Sequence, residues 1–369
     1  MHYAFFTTGS WEGNASLVRL RELGKEMIAR GIRVSYLVDD VPYNRSGKLD
    51  LHPDARVAFV PEPKKFSQFK SRRRILRELK PDFVHVLNPY VKALLTLAPT
   101  RWNVVGDWDE WPARRPHKPV RKIVEAYLDR WLRNRAKLRV VASKYLQRQF
   151  KEQFGLDSVY IPYATYLQDF PDVASPFAEP TAVYMGNFFP AYDHDLIFDA
   201  ARILKGQGKQ PHMQFLGGGP DLENWRSFAR EHDLKNVSIP GFLTGEELWR
   251  HLRHAHVLLF PIRENLLNLC RCPSKTFAYA QARRPVIANR VGEIPSVLEE
   301  KAHYVDATPE AFAAAIMSAF QQQKLPDVDY GVERHNWSAR TDELLAALGR
   351  MTSGQRVSSA PAVSGGRLP

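Results

Sequence analysis

The sequence predicts an α/β protein made of two doubly wound parallel-sheet domains facing each other across a cleft. Three observations predict it. Short apolar segments alternate with helical-period segments of ten or more residues through most of the chain, the pattern of βαβ units. The alternation breaks once, over Tyr166–Pro180, and then restarts. At 369 residues the chain is long enough for two domains, each with a core of its own.

The elements of the first half follow in order. Tyr3–Thr7 is apolar and extended, and the loop Thr8–Asn14 leads into apolar positions of helical period from Leu17 to Ile28, which stop before Gly31. Val34–Val38 is the next strand and ends at Asp39-Asp40. Val57–Val60 is a strand with a basic helix after it. Phe83–Leu87 is a strand announced by Pro81-Asp82 and closed by Asn88-Pro89. Val104-Val105 runs into Gly106–Glu110, a long amphipathic helix follows Pro119, Val140–Ala142 is a strand, and Ser143 starts a further helix.

Tyr166–Pro180 carries Pro171, Pro176 and Pro180 with little periodicity and reads as an interdomain linker. Beyond it come a strand at Ala182–Met185, a Gly186-Asn187 turn and a helix over Leu196–Leu204. The strand Met213–Leu216, the turn Gly217–Pro220 and a helix over Leu222–His232 follow, then strands at Val237–Ile239 and Val257–Phe260. These readings set domains at 1–165 and 181–335, a last helix within 336–349, and a Ser-, Gly- and Pro-rich tail at 350–369 expected to be disordered.

Val257–Ala288 is the most informative stretch. The strand Val257–Phe260 enters a polar loop, Pro273-Ser274-Lys275 opens a helix that ends at Arg283-Arg284, and Pro285 leads into the strand Val286–Ala288. A helix start offers unpaired N–H groups and a partial positive charge, to which Lys275 adds a full one. That chemistry suits the diphosphate of a nucleotide.

Composition bounds the rest. The net charge of +12 arises wholly in the first half, where residues 1–160 carry 31 Lys plus Arg against 17 Asp plus Glu. The basic residues gather at Lys64–Lys80 and at Arg114–Arg139. The second cluster interleaves Trp111, Tyr127 and Trp131 with Arg114, Arg115, Lys118, Arg121, Lys122, Arg130, Arg133 and Arg135. Such a face suits an anionic bilayer or a phosphorylated acceptor, or is simply solvated. No nucleic-acid motif accompanies it, so nucleic acid is not expected as a partner. No apolar run of transmembrane length and no signal-peptide pattern is present, and Cys270 and Cys272 read as reduced thiols without chemical role. A cytoplasmic protein, peripheral at the inner face of the membrane, is the expectation.

The order Gly186-Asn187, FLGGGP (Phe215–Pro220), NVSIPGF (Asn236–Phe242), HVLLFP (His256–Pro261), PSK (Pro273–Lys275) and RRPVIAN (Arg283–Asn289) resembles glycosyltransferase family 4. The likeness runs nearly the whole chain up to about Leu348 and is stronger in the second half. It implies a GT-B fold of two Rossmann-like domains. It also implies retaining, metal-independent transfer of a sugar from a nucleotide-diphosphate sugar to a lipid-linked or cell-surface polysaccharide precursor, without cofactor. On this likeness Gly186 and Asn187 lie beneath the donor phosphates, Ser274 and Lys275 hold the β-phosphate, and Gly218 and Gly219 shape the base and ribose end. On the acceptor side Gly9 and Gly13 face the donor, Glu12 orients a hydroxyl, and Asp109 is the catalytic or sugar-positioning carboxylate together with Lys275.

The chain departs from the family pattern at three places. Asn187 and Tyr192 stand where an Arg and a Lys are usual, and Ala278 stands where a Glu grips the ribose. Losing that contact removes roughly 1.5–3 kcal/mol unless it is replaced. Arg263, Arg271, Glu264 and Glu293 are the candidate replacements. The alternative is a catalytically silent GT-B-like saccharide-binding or scaffold protein. Two Asp-x-Asp strings, Asp107/Asp109 and Asp193/Asp195, resemble metal-binding pairs of single-domain glycosyltransferases. Asp193 and Asp195 are explained as favourable charges at a helix start, and no metal is assigned.

Overall fold

The computed structural model describes residues 1–12, 15–111, 118–167, 173–322 and 326–353. The described residues form two compact units: 1–163 with 269–272 and the segment from Trp337 onward, and 164–268 with 273–336. Gly13, Arg114, Arg115, Pro171, part of the 166–180 linker and most of the 350–369 tail lie outside the described residues.

The first unit contains β1 (His2–Phe6), α1 (Ala15–Ala29), β2 (Arg33–Asp39), α2 (Pro42–Arg45), β3 (Arg56–Val60), α3 (Gln68–Leu79), β4 (Phe83–Leu87), α4 (Val91–Leu97), β5 (Asn103–Trp108), α5 (Pro119–Arg135), β6 (Leu138–Val141), α6 (Lys144–Phe154) and β7 (Val159–Tyr160). Its sheet has the order β3-β2-β1-β4-β5-β6-β7, and every pairing is parallel. β1 and β4 are buried along their whole length, as the apolar strand segments require when helices cover both faces. Ser143 caps α6 by accepting a hydrogen bond from the Leu146 amide at 3.1 Å, and Gly155 ends that helix in the left-handed region at φ 64°.

In the second unit are β8 (Thr181–Met185), α7 (Asp195–Gly206), β9 (His212–Leu216), α8 (Leu222–Glu231), β10 (Val237–Gly241), α9 (Gly245–His254) and β11 (Val257–Phe260). They are followed by α10 (Leu266–Cys270), α11 (Lys275–Ala282), β12 (Val286–Ala288), α12 (Ile294–Leu298), β13 (His303–Tyr304) and α13 (Pro309–Phe320). The sheet order is β10-β9-β8-β11-β12-β13, again parallel throughout. Phe198, Phe215, Leu259, Ile287, Phe312 and Ile316 join its core.

The last helix, α14 (Trp337–Thr352), belongs to the first unit. Arg30 of α1 donates to Asp342 Oδ1 at 2.8 Å and to the Ser338 hydroxyl at 2.6 Å, and the Trp337 ring packs edge-on to Tyr163 at 6.1 Å. Leu344, Ala347 and Leu348 of α14 are buried.

Three expectations change. The polar loop after β11 contains the short helix α10, because Leu266, Leu267 and Leu269 give it an apolar side. The terminal helix runs to Thr352, so residues 350–352 are helical rather than part of a disordered tail. Helix α13, capped by Thr308 accepting from the Ala311 amide with Pro309 in its first turn, went unread in a stretch dominated by alanine.

Candidate functional site: a lysine at the switch point of the second sheet

In the second sheet the chain winds outward from β8 to β9 and β10, then returns to the other side of β8 with β11. The switch point therefore lies between β8 and β11, and ligands of open α/β sheets bind beyond the carboxyl ends of strands at such points. Lys275 sits there. Its ammonium lies 4.4 Å from the ring centroid of Tyr184 on β8 and 4.4 Å from that of Phe260 on β11. The two rings fix the charge by cation–π contact from opposite strands.

The placement comes from α11. One turn beyond Lys275, the Tyr279 hydroxyl accepts from the Met185 amide at 2.8 Å and donates to the Leu259 carbonyl at 3.0 Å, joining the helix to the ends of β8 and β11. Tyr279 is fully buried, and burial pushes its phenol well above the usual range, so it stays protonated and able to donate. Below Lys275, the Tyr184 hydroxyl is 3.0 Å from His194 Nε2, and His194 stacks on Phe188 at 4.7 Å. Burial, and then the Lys275 charge, lower His194 to about 4, so the floor under the lysine is neutral.

Glycines let the surrounding loops close. A side chain at Gly186 would strike the Tyr184 hydroxyl and come 3.3 Å from Lys275 Nζ. Gly217, at φ 143°, has the Gly186 carbonyl where a Cβ would lie. The Gly186 amide donates to the Leu216 carbonyl at 2.9 Å and the Phe188 amide to the Gly218 carbonyl at 2.8 Å. The loops after β8 and β9 are thus one knitted surface. Asn187 and Gly219 are exposed on it, and Gly218 is half-buried. Phe242, 72% exposed beyond the end of β10, has its Cβ 3.8 Å from where a Cβ of Gly218 would stand.

The proposed replacements for the missing family residues are placed differently. Arg263 is committed to carboxylates: it pairs with Asp195 at 2.5 Å and Asp193 at 3.2 Å. Its backbone amide also donates to Asp193 Oδ2 at 2.9 Å. This corrects the reading of Asp193 and Asp195 as helix-start charges alone; they anchor the loop after β11. Glu264 is exposed, Glu293 is buried at the start of α12, and Arg271 groups with the first unit rather than with Lys275. Ser274 is exposed at the N-cap of α11, and Ala278 is half-buried one turn into that helix.

In the first unit, the Asp107 carboxylate is fully buried and takes the Arg19 guanidinium at 2.7 Å and His85 Nε2 at 3.1 Å. The Tyr3 hydroxyl lies 2.8 Å from His85 Nδ1. Burial raises the Asp107 carboxyl, but Arg19 and His85 outweigh it and hold it below the usual carboxylate range. Asp109 is separate. It accepts from the Asn88 amide group at 2.5 Å and from the Tyr163 hydroxyl at 3.1 Å. Burial and then the Asp109 charge raise the Tyr163 phenol well above its usual range. Asn88 adopts φ 58° at the end of β4, is 1% exposed, and its side-chain oxygen Oδ1 has no hydrogen-bond partner among the described residues.

Gly9 builds its own loop: its amide donates to Asp39 at 2.8 Å and its carbonyl accepts from Asn44 at 3.0 Å. Asp39 also pairs with buried Arg72 and, at 2.7 Å, with Lys92. Glu12 is exposed in the turn that follows. Sequence reasoning missed Tyr184, Tyr279, His194, Asn88 and Tyr163. The signal for Tyr279 was its position four residues after Lys275, on one face of the helix.

Two doubly wound parallel-sheet units place the chain among two-domain Rossmann-like α/β proteins. Residues 18–163 match Glycosyltransferase Family 4 and residues 179–322 match Glycosyl transferases group 1; the chain belongs to this glycosyltransferase family and has its GT-B fold. Among solved structures, the sucrose-phosphate synthase of Thermosynechococcus elongatus superposes with a TM-score of 0.74 at 16% identity, over 96% of this chain and 100% of that one. HepE of Anabaena, in complex with UDP and glucose, gives 0.74 at 12% identity over 95% and 99%. A variant of S. aureus TarM in complex with UDP, fondaparinux and α-GlcNAc-glycerol gives 0.71 at 9% identity over 94% and 99%. No curated protein matches the chain by sequence.

Proposed function

We propose that the chain transfers a sugar, with retention, from a nucleotide-diphosphate sugar to a lipid-linked or cell-surface polysaccharide precursor. The observation that carries this reading is the Lys275 ammonium, held by Tyr184 and Phe260 at the switch point beside Gly186. In the proposed step the acceptor oxygen bonds to the anomeric carbon as the bond from that carbon to the β-phosphate oxygen breaks. The acceptor proton passes to a leaving diphosphate oxygen. Lys275 and the amides at the start of α11 stabilise the negative charge that develops there. Phe242 offers an apolar face to the nucleobase beside the glycine turn. Asp109, oriented by Asn88 and Tyr163, positions the acceptor.

The reading is metal-independent because both Asp-x-Asp strings have other duties: Asp107 with Arg19 and His85, Asp193 and Asp195 with Arg263. It places the protein at the inner face of a membrane, where a lipid-linked acceptor resides. Among the described residues no helix is long and apolar enough to cross a membrane, so association would be through the basic first unit.

A second reading, a silent GT-B-like saccharide-binding protein, has Ala278 in its favour. Calorimetry against a panel of nucleoside diphosphates separates the two: micromolar binding of one supports the enzyme, and no binding across the panel supports the silent protein. Ala278→Glu tightens binding about tenfold if only the ribose contact is missing. The anomeric configuration of the product tests retention, and inversion would overturn it.

A further inference from the structure

Helix α5 carries an exposed apolar stripe beside its buried side. Its core-facing side is marked by Leu128 and Leu132, both buried. Advancing about 100° per residue, Val120, Ile123, Val124 and Tyr127 fall within one stripe roughly 100° wide, whose centre is turned about 110° from those leucines. These four are 76%, 71%, 43% and 61% exposed, so the stripe stands in solvent. Trp131, half-buried, extends it by one turn. From Lys118 to Tyr127 every residue but Glu125 is exposed, so the first turns of the helix project from the unit.

Charge borders the stripe. Between Lys118 and Arg135 there are six Lys and Arg against two acidic residues, and both acids pair within the helix, Glu125 with Arg121 at 2.9 Å and Asp129 with Arg133 at 2.8 Å. Arg130 lies at one edge of the apolar stripe, and Lys122 lies on the polar side roughly opposite it. Tyr127, Arg130, Trp131, Asn134 and Arg135 line a surface hollow of about 340 Å³ beside it. An exposed apolar stripe that includes Tyr and Trp, with a cation at its edge and others on the polar side, is the pattern of a helix that lies in the plane of a bilayer interface.

We propose that α5 is an in-plane membrane anchor. Val120, Ile123, Val124 and Tyr127 enter the acyl boundary of an anionic leaflet, and the hollow at Arg130 takes a lipid headgroup phosphate. This inference rests on the membrane association proposed above and assigns it to one helix. An apolar stripe on a helix whose edge and polar side are cationic complements an anionic leaflet, which meets both charge and apolar surface at once; that complementarity selects the bilayer over a second copy of the same basic face.

The test is flotation of the full chain with phosphatidylcholine vesicles containing about one third phosphatidylglycerol, with nucleotide binding measured in parallel as a check of folding. The wild-type chain floats, and Val120→Ser with Ile123→Ser lowers recovery at least about tenfold while nucleotide binding is unchanged. Lys122→Glu with Arg130→Glu does the same, and high salt shrinks the effect of this charge pair but not that of the serine pair. Because Cys270 and Cys272 are buried, Ile123→Cys can carry an environment-sensitive dye, whose emission shifts to the blue on vesicles. A double-serine variant that floats like wild type overturns the assignment to α5 and leaves membrane association standing. A wild-type chain that does not float overturns both. A wild-type dimer that the serine variant dissociates, without flotation, gives the stripe to a second copy and overturns the anchor.

Discussion

The Tyr279 hydroxyl and the Met185 amide are 2.8 Å apart, and through this bond the helix bearing Lys275 is fastened to the strand that leads into Gly186. Phenylalanine at 279 keeps the ring but leaves that part-buried amide and the buried Leu259 carbonyl without this partner. Tyr279→Phe is expected to lower unfolding free energy by about 1–3 kcal/mol in urea titration. It also loosens the lysine, so kcat/KM falls further than stability alone explains. An unchanged urea midpoint would show that the bridge contributes nothing.

Lys275 tests the proposed donor site directly. Lys275→Ala is expected to lower kcat/KM by about tenfold to a thousandfold, with the larger share in kcat because the charge matters most as the diphosphate leaves. Lys275→Arg restores charge but not shape between Tyr184 and Phe260, so it recovers part of the loss. Turnover at the wild-type rate in the alanine variant would remove Lys275 from the mechanism.

The Arg19–Asp107 pair has both side chains fully buried, so removing one partner leaves an uncompensated charge. Arg19→Met should cost about 3–5 kcal/mol, and adding Asp107→Asn should recover part of it. The folded Asp107 carboxyl lies below its ordinary value. Its contribution is therefore complete above the ordinary carboxylate range and is lost as pH falls below about 4. Equal stability of wild type and Arg19→Met at neutral pH would contradict the pairing.

His194 gives the second unit its own pH dependence. Its folded value of about 4 is below the ordinary 6.5. The unfolded chain thus binds a proton that the folded chain refuses between those values. Stability from this group is full above pH 6.5 and is lost as pH falls toward 4, by about 2 kcal/mol between pH 7 and 5. His194→Gln should flatten that slope in urea titrations at the two pH values. An unchanged slope would mean the histidine titrates normally.

The alternation of strands and helices was legible because burial on both faces leaves its period in the local sequence. Gly186, the Gly217–Gly219 turn and Lys275 were legible because each motif lies within a few residues. What the sequence hid are partnerships across distance. Arg19 and Asp107 are separated by 88 positions, Asp109 and Tyr163 by 54, and Arg263 and Asp193 by 70. Nothing local distinguishes Arg263 as a loop anchor from Arg263 as a phosphate ligand; the strand order decides which carboxylates arrive beside it. The short helix α10 was hidden for another reason, since five residues give too little period to read.

The return of α14 to α1 sets an order on biosynthesis. The first unit is not a contiguous stretch of chain: Arg30 meets Asp342 and Ser338, and Tyr163 meets Trp337, only after the whole of the second unit has left the ribosome. Until then one flank of α1 lacks its cover. The second unit, by contrast, has nearly all its segments in sequence order. The first-made half of this chain is therefore the last to be finished, and a nascent chain stalled before Trp337 carries an open apolar surface for chaperones to hold.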